Sequence, residues 1–333
     1  MKLSKASRSV ADKHKEKNRE PRSKFWMRLL ALILVILLLS GSLFYVLEFL
    51  FLNIYAQEYD PSLMIRVGLM YGNNVTVGFE TKTKYGFALG YVDSQNRFTA
   101  LTQVTDTVLS VTCDSNLNNS NRTFTKTNSQ SPSVGGYHIE VSGQNLYQYY
   151  DAIASMFSAA GLLPFPAYIN GEFRIRAGSF GSAEAAAFAL ESLTENIIYT
   201  VANLGCSLSV ASPSATAVSA VNPYTNAIVF ELDSADRSVG LGMEPLQLPG
   251  GEPAYLVTPA GNQYEGVFEF KRNYSSYTDG VALTNIVTLE QYTVGVLPYE
   301  IGANWPIEAQ KAFAIAVRSY VLSHLGTPGK SYR

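Results

Sequence analysis

Residues 289–322 read LEQYTVGVLPYEIGANWPIEAQKAFAIAVRSYVL, from Leu289 to Leu322. The first part of this stretch is strand-like. A turn built from Gly295, Pro298 and Tyr299 follows and carries one acid, Glu300. From Trp305-Pro306 the spacing becomes helical. Asn304 suits an N-cap, and Pro306 is tolerated in a first turn, where its missing N–H would have no helical partner. Ala309, Ala312, Phe313, Ala316, Val317 and Tyr320 recur every three or four residues and predict a narrow core-facing stripe. Lys311 and Arg318 stand about two turns apart, so both can point into one groove. Glu308 is placed to pair with Lys311. Taken alone, each of these charges reads most simply as a surface group, and Trp305 as a packing residue.

Upstream of it, Gly280–Tyr292, Tyr264–Phe270 and the tracts AVNPYTNAIVFEL and VGLGMEPL alternate as short strands, with turns at Pro223–Asn226, Gly250-Gly251 and Ala260–Asn262. Residues 137–212 differ. A strand at Tyr137–Val141, a helix at Leu146–Ala160, strands at Pro164–Ile169 and Phe173–Phe180, a helix at Ala183–Thr194 and a strand at Asn196–Val201 give the order β-α-β-β-α-β, one sheet with two helices on a face. Asn170-Gly171 marks a tight hairpin, since both residues tolerate positive φ. Residues 113–136 are rich in small polar residues and read as a linker. Before them, the runs MIRVGLMY, VTVGFETK, YGFALGYV and FTALTQVT predict a β-rich module over 63–112.

The chain has 333 residues, 47% hydrophobic and 16% charged, with a net charge of −2. Residues 1–28 hold ten Lys/Arg and three Asp/Glu, a balance of +7, which leaves −9 for the remainder. The bulk of the protein is therefore not a nucleic-acid binder by charge. The basic head (1–26) leads into the apolar run Met27–Leu47, long enough for a membrane span. The flanking charge puts the N-terminus in the cytoplasm and the bulk outside it, a single-pass protein of the cell membrane. A cleaved signal peptide is the rival reading, with Tyr55-Ala56-Gln57 as a poor cleavage site. Cys113 and Cys206 are read either as one disulfide or as two buried small residues. The histidines His14, His138 and His324 are scattered, and none reads as a ligand or base.

The tract GVLPYE, IGAN, WPIEAQKAFAIAVRSY resembles the SpoIID/LytB domain family, whose pattern is GVVxxE, a few residues, then WPxEALKAQAVAARTY. Ile65–Leu69 resembles that family's IRVGL strand, and Tyr264–Phe270 its YRGxLEF strand. Residues 219–333 are therefore expected to form the start of such a domain, either one that continues beyond Arg333 in a longer protein, the favoured reading, or a degenerate one. The resemblance implies a peptidoglycan lytic transglycosylase with Glu300 as catalytic acid. One acid suffices there because the sugar's own 6-hydroxyl attacks and leaves a 1,6-anhydro product. Burial beside Tyr299 and Trp305 is expected to raise the Glu300 pKa. Lys311 and Arg318 would hold substrate or fix Glu300, and Trp305 would stack on sugar. Ser319 and Phe313 depart from the family's Thr and Gln. The alternative implied is a non-catalytic peptidoglycan-binding scaffold or an activator of a cell-wall amidase, among other sporulation proteins. No cofactor is expected in this chain, and a metal site only in the family's downstream part.

The tract RIRAGSFGSAEAAAFALESL resembles the SPOR domain, which binds glycan strands lacking stem peptides. It implies that Tyr137, Tyr168, Phe173 and Arg174 are candidate sugar contacts. The expected architecture is thus α+β: a transmembrane helix, a β-rich module, a SPOR-like domain and a partial SpoIID/LytB domain, with glycan strands and the cytoplasmic membrane as partners.

Overall fold

The computed structural model describes residues 62–274, 279–302 and 304–325. The apolar run at 27–47 lies outside them. Among the described residues no helix is long and apolar enough to cross a membrane. The expected architecture is corrected accordingly: what is observed is an α+β fold of several sheets with helices at its C-terminal end. The membrane span, the single-pass placement and the membrane as partner find no support in it.

Apolar runs broken by Gly and Asn turns form β1 (Met64–Met70), β2 (Gly78–Lys82), β3 (Phe87–Val92), β4 (Phe98–Val104) and β5 (Val108–Cys113). The polar stretch 113–136 is not featureless. It carries a hairpin, β6 (Leu117–Ser120) and β7 (Thr123–Lys126), turned by Asn121 and Arg122 at φ 50° and 67°. Its few apolar residues are well spaced: Leu117, Phe124 and Val134 are buried together with Phe165, Val221 and Ile228.

The next unit comprises β8 (Tyr137–Ser142), α1 (Leu146–Ala159), β9 (Pro164–Ile169), β10 (Glu172–Phe180), α2 (Ala183–Glu191), α3 (Glu195–Asn203) and β11 (Ser207–Ala211). Asn170 and Gly171 at φ 51° and 88° close the β9–β10 hairpin, as the Asn-Gly pair predicts. The segment read as a strand at 196–201 is instead the helix α3. Its β-branched content suggested a strand, but Ile197 and Val201 sit one turn apart and both are buried. The fourth strand comes later, as β11. The strand order β11-β8-β10-β9 with antiparallel neighbours is a split β-α-β arrangement, and α1 and α3 pack on Ile139, Val141 and Ile175.

The chain continues with β12 (Val218–Val221), β13 (Ile228–Asp233), β14 (Gly240–Pro245), β15 (Leu256–Val257), β16 (Gln263–Tyr264), β17 (Val267–Tyr274), β18 (Asp279–Thr288), α4 (Leu289–Glu300) and α5 (Ile307–His324). One sheet runs β1-β18-β17-β14-β3-β4; the other runs β11-β8-β10-β9-β13-β12-β5-β2-β15-β16. Strands from before and after the α/β unit therefore alternate within both sheets. The parallel pair β9–β13 joins that unit to the longer sheet. The main core lies between the two sheets, with Phe87, Phe230, Phe268 and Phe270 fully buried. Each such ring contributes roughly 1.5–3 kcal/mol of burial free energy.

Residues 289–300 are helical, not strand-like. Thr288 accepts from the Gln291 backbone N–H at 3.1 Å, and Gln291 Oε1 accepts from the Thr288 N–H at 3.1 Å, a reciprocal capping box. The following helix α5 starts after Pro306 without a side-chain cap. It buries Ala314 and Val321, whereas Ala312, Ala316 and Tyr320 of the expected stripe are exposed. Cys113 and Cys206 are free thiols, and burial pushes the Cys113 thiol up to about 11.

Candidate functional site

Beside α4 lies a cleft of about 570 Å3. Tyr255, Tyr264, Tyr292 and Tyr299 contribute rings; Asn262, Asn285 and Gln291 contribute amides; Glu300 adds a carboxyl at the helix C-terminus. Val67 of β1 and Asn285 of β18, neighbours in the sheet, form part of the wall. Tyr299 is 85% exposed, Trp305 is 55% exposed, and Glu300 is exposed. The enclosure expected around the Glu300 carboxyl is therefore absent.

The expected basic partners have other engagements. Arg318 forks onto Glu290, with Nε to Oε1 and Nη2 to Oε2 both at 2.6 Å. This bidentate bond ties α5 to α4 and holds the Glu290 carboxyl below its ordinary range. Lys311 pairs with Glu308 at 2.9 Å on the exposed face of α5. The Trp305 carbonyl accepts from Gln310 Nε2 at 2.8 Å.

Of the candidate sugar contacts upstream, Tyr168 stacks on Tyr91 with ring centroids 4.7 Å apart. Phe173 meets Tyr147 and Tyr150 edge-on, at 5.3 and 6.1 Å. These three rings line an open groove of about 750 Å3 together with residues of β4 and β9. Arg174 pairs with the neighbouring Glu172. Tyr147, which the sequence did not single out, is 61% exposed on α1.

A second constellation lies in the interior. Asp114, His138 and Glu231 are all buried and bring ligand-type atoms within 4.8 Å of one another. The expectation that a metal site could exist only in a downstream part is thereby corrected. Burial holds Asp114 well above the ordinary carboxylate range and also raises Glu231, while burial and nearby Arg176 push His138 down to about 3. Sequence reasoning missed this cluster because its members are far apart in the chain and carry no ligand spacing.

A sequence model of the SpoIID family, described as Stage II sporulation protein, matches residues 277–332. This matched part holds β18, α4 and α5. An uncharacterized protein of Brachyspira hyodysenteriae is 43% identical over 49 residues, a span covering 15% of this chain and 13% of that protein. No solved structure matches. The C-terminal stretch is thus SpoIID-related, and these similarities cover that stretch rather than the whole chain. The expected membrane-anchored lytic transglycosylase is corrected: the match is partial, and no described helix is long and apolar enough to supply the anchor.

Proposed function

We propose that this chain is a SpoIID-related cell-wall protein that binds peptidoglycan glycan strands, using the cleft beside α4. The lining of that cleft carries the reading. Sugar rings offer apolar faces that stack on aromatic rings, and hydroxyls that need both donors and acceptors. Tyr264, Tyr292 and Tyr299 supply the former; Asn262, Asn285, Gln291 and Glu300 supply the latter. Much of this lining comes from the SpoIID-related stretch. Trp305 and Lys311 are exposed nearby in sequence and supply a stacking ring and a cation for the acidic muramyl groups. Arg318 acts as a positioning residue, holding α5 against α4 through Glu290.

The SPOR-like reading of 137–212 belongs to the same proposal. The split β-α-β topology and the groove at Tyr147, Tyr150 and Phe173 support it.

The test is retention of the chain on purified glycan strands freed of stem peptides. The double variant Tyr299→Ala, Glu300→Gln should weaken retention by about tenfold, the equivalent of ~1.4 kcal/mol. Unchanged retention would remove the α4 cleft from the reading. Release of 1,6-anhydro sugars by the wild-type chain, lost in Glu300→Gln, would replace a binding function by a cutting one.

A further inference from the structure

Three side chains with no part in glycan binding meet inside the molecule: Asp114 just after β5, His138 on β8 and Glu231 on β13. His138 Nδ1 lies 2.7 Å from the Gly178 carbonyl oxygen. A carbonyl can only accept, so Nδ1 carries the proton and Nε2 presents a lone pair. Nε2 faces Glu231 Oε2 at 3.6 Å, with both side chains 0% exposed. Neither atom has a hydrogen-bond partner. Two buried acceptors pointing at one another are costly unless something electropositive lies between them. A proton on Glu231 serves poorly, because 3.6 Å is beyond hydrogen-bond reach. A metal ion serves well: tetrahedral zinc, with bonds of about 2.0–2.1 Å, places adjacent ligand atoms roughly 3.3 Å apart.

The charges point the same way. Glu231 Oε1 is paired with Arg176, which also binds Glu140 at 2.7 Å. Asp114, Glu231 and Glu140 gather three carboxyls around Arg176, while Arg272, the other cation near Asp114, is already held by Asp279. A divalent cation would neutralise the cluster. Hydrogen bonds already orient the ligands: the Ser214 N–H donates to Asp114 Oδ2 at 2.7 Å, and the Gly178 carbonyl fixes the His138 ring.

We propose that Asp114, His138 and Glu231 form a buried structural site for a divalent cation of the zinc class, fastening the α/β unit to the two-sheet core. One imidazole and two carboxylates suit that class of ion. The ligands reach the site from separate elements, so the ion links β8 of the α/β unit to the strands that flank it. Full burial means that the ion is acquired during folding and exchanges slowly afterwards.

The experiment refolds the full chain with zinc or with a chelator, removes free metal, and measures zinc content and Tm. About one zinc per chain is expected, with a Tm higher than that of the chelator-refolded protein by about 5 °C or more. His138→Ala and the near-isosteric Glu231→Gln should each abolish retention. Should either fail to fold, Asp114→Asn provides the same readout with the smallest change in volume. Cobalt in place of zinc should give the visible absorption of a four-coordinate ion. A folded wild-type chain that keeps no zinc or cobalt and has the same Tm under both conditions would overturn the site.

Discussion

Two glycines show how differently one residue type is used. An added Cβ at Gly90 in β3 would stand 1.9 Å from the Thr99 carbonyl oxygen, a backbone atom that cannot step aside. The β3–β4 register shifts at this point, so the close approach is part of the pairing. At Gly295 in α4 an added Cβ meets nothing within 4 Å. Gly90→Ala should therefore cost about 2–3 kcal/mol. Gly295→Ala should stabilise by about 0.5–1 kcal/mol, because it reduces the freedom of the unfolded chain and raises helix propensity. Urea unfolding of both variants checks the opposite signs. Neither fate was legible in sequence, where Gly90 sits in an ordinary apolar run and Gly295 looks like part of a turn. The same holds for His138: its surroundings are built by contacts with residues as distant as Gly178 and Glu231, which local pattern does not encode.

Helix α4 carries a lesson about local signals. Its apolar content and Gly295 and Pro298 suggested a strand and a turn, yet Thr288-x-x-Gln291 is a capping box that announces a helix. Pro298 sits within the helix near its end and does not prevent it. The site residue Glu300 was legible as a member of a motif, but its exposure was not. The Arg318 bond to Glu290 makes α4 and α5 a coupled pair. Arg318 keeps the Glu290 carboxyl below its ordinary value near 4.5. The bond therefore contributes fully above that value and is lost as pH falls through the lowered, folded value. Arg318→Ala should cost roughly 0.5–1 kcal/mol at about neutral pH, a modest amount because the pair is partly solvated. The difference from wild type should fade on acidification below about pH 4. Chemical denaturation of both proteins across this pH range is the measurement, and a cost independent of pH would refute the pairing as its source.

At the scale of the whole molecule, the strands of 63–112 and 219–288 were recognisable one by one, but their partnership was not. Periodicity reports which face of a strand is buried, not which distant strand lies beside it. Here β3 pairs with β14, β5 with β12, and β9 with β13. A continuous sheet of this kind shares its core across sequence boundaries. Heating should accordingly give one transition for the described part of the chain, with far-UV and near-UV circular dichroism changing together. Separate melting of the α/β unit would contradict this.

The pairing of β1 with β18 has a consequence for the protein's synthesis. Met64 lies opposite Thr288, so β1 cannot be closed until almost all of the described chain has been made. At about 5–20 residues per second the wait is on the order of tens of seconds. Throughout that time, an apolar edge that includes Ile65 stays open to any other nascent chain. The cell must shelter it, and a shortage of holding chaperones should appear as aggregation of newborn chains while finished molecules remain sound.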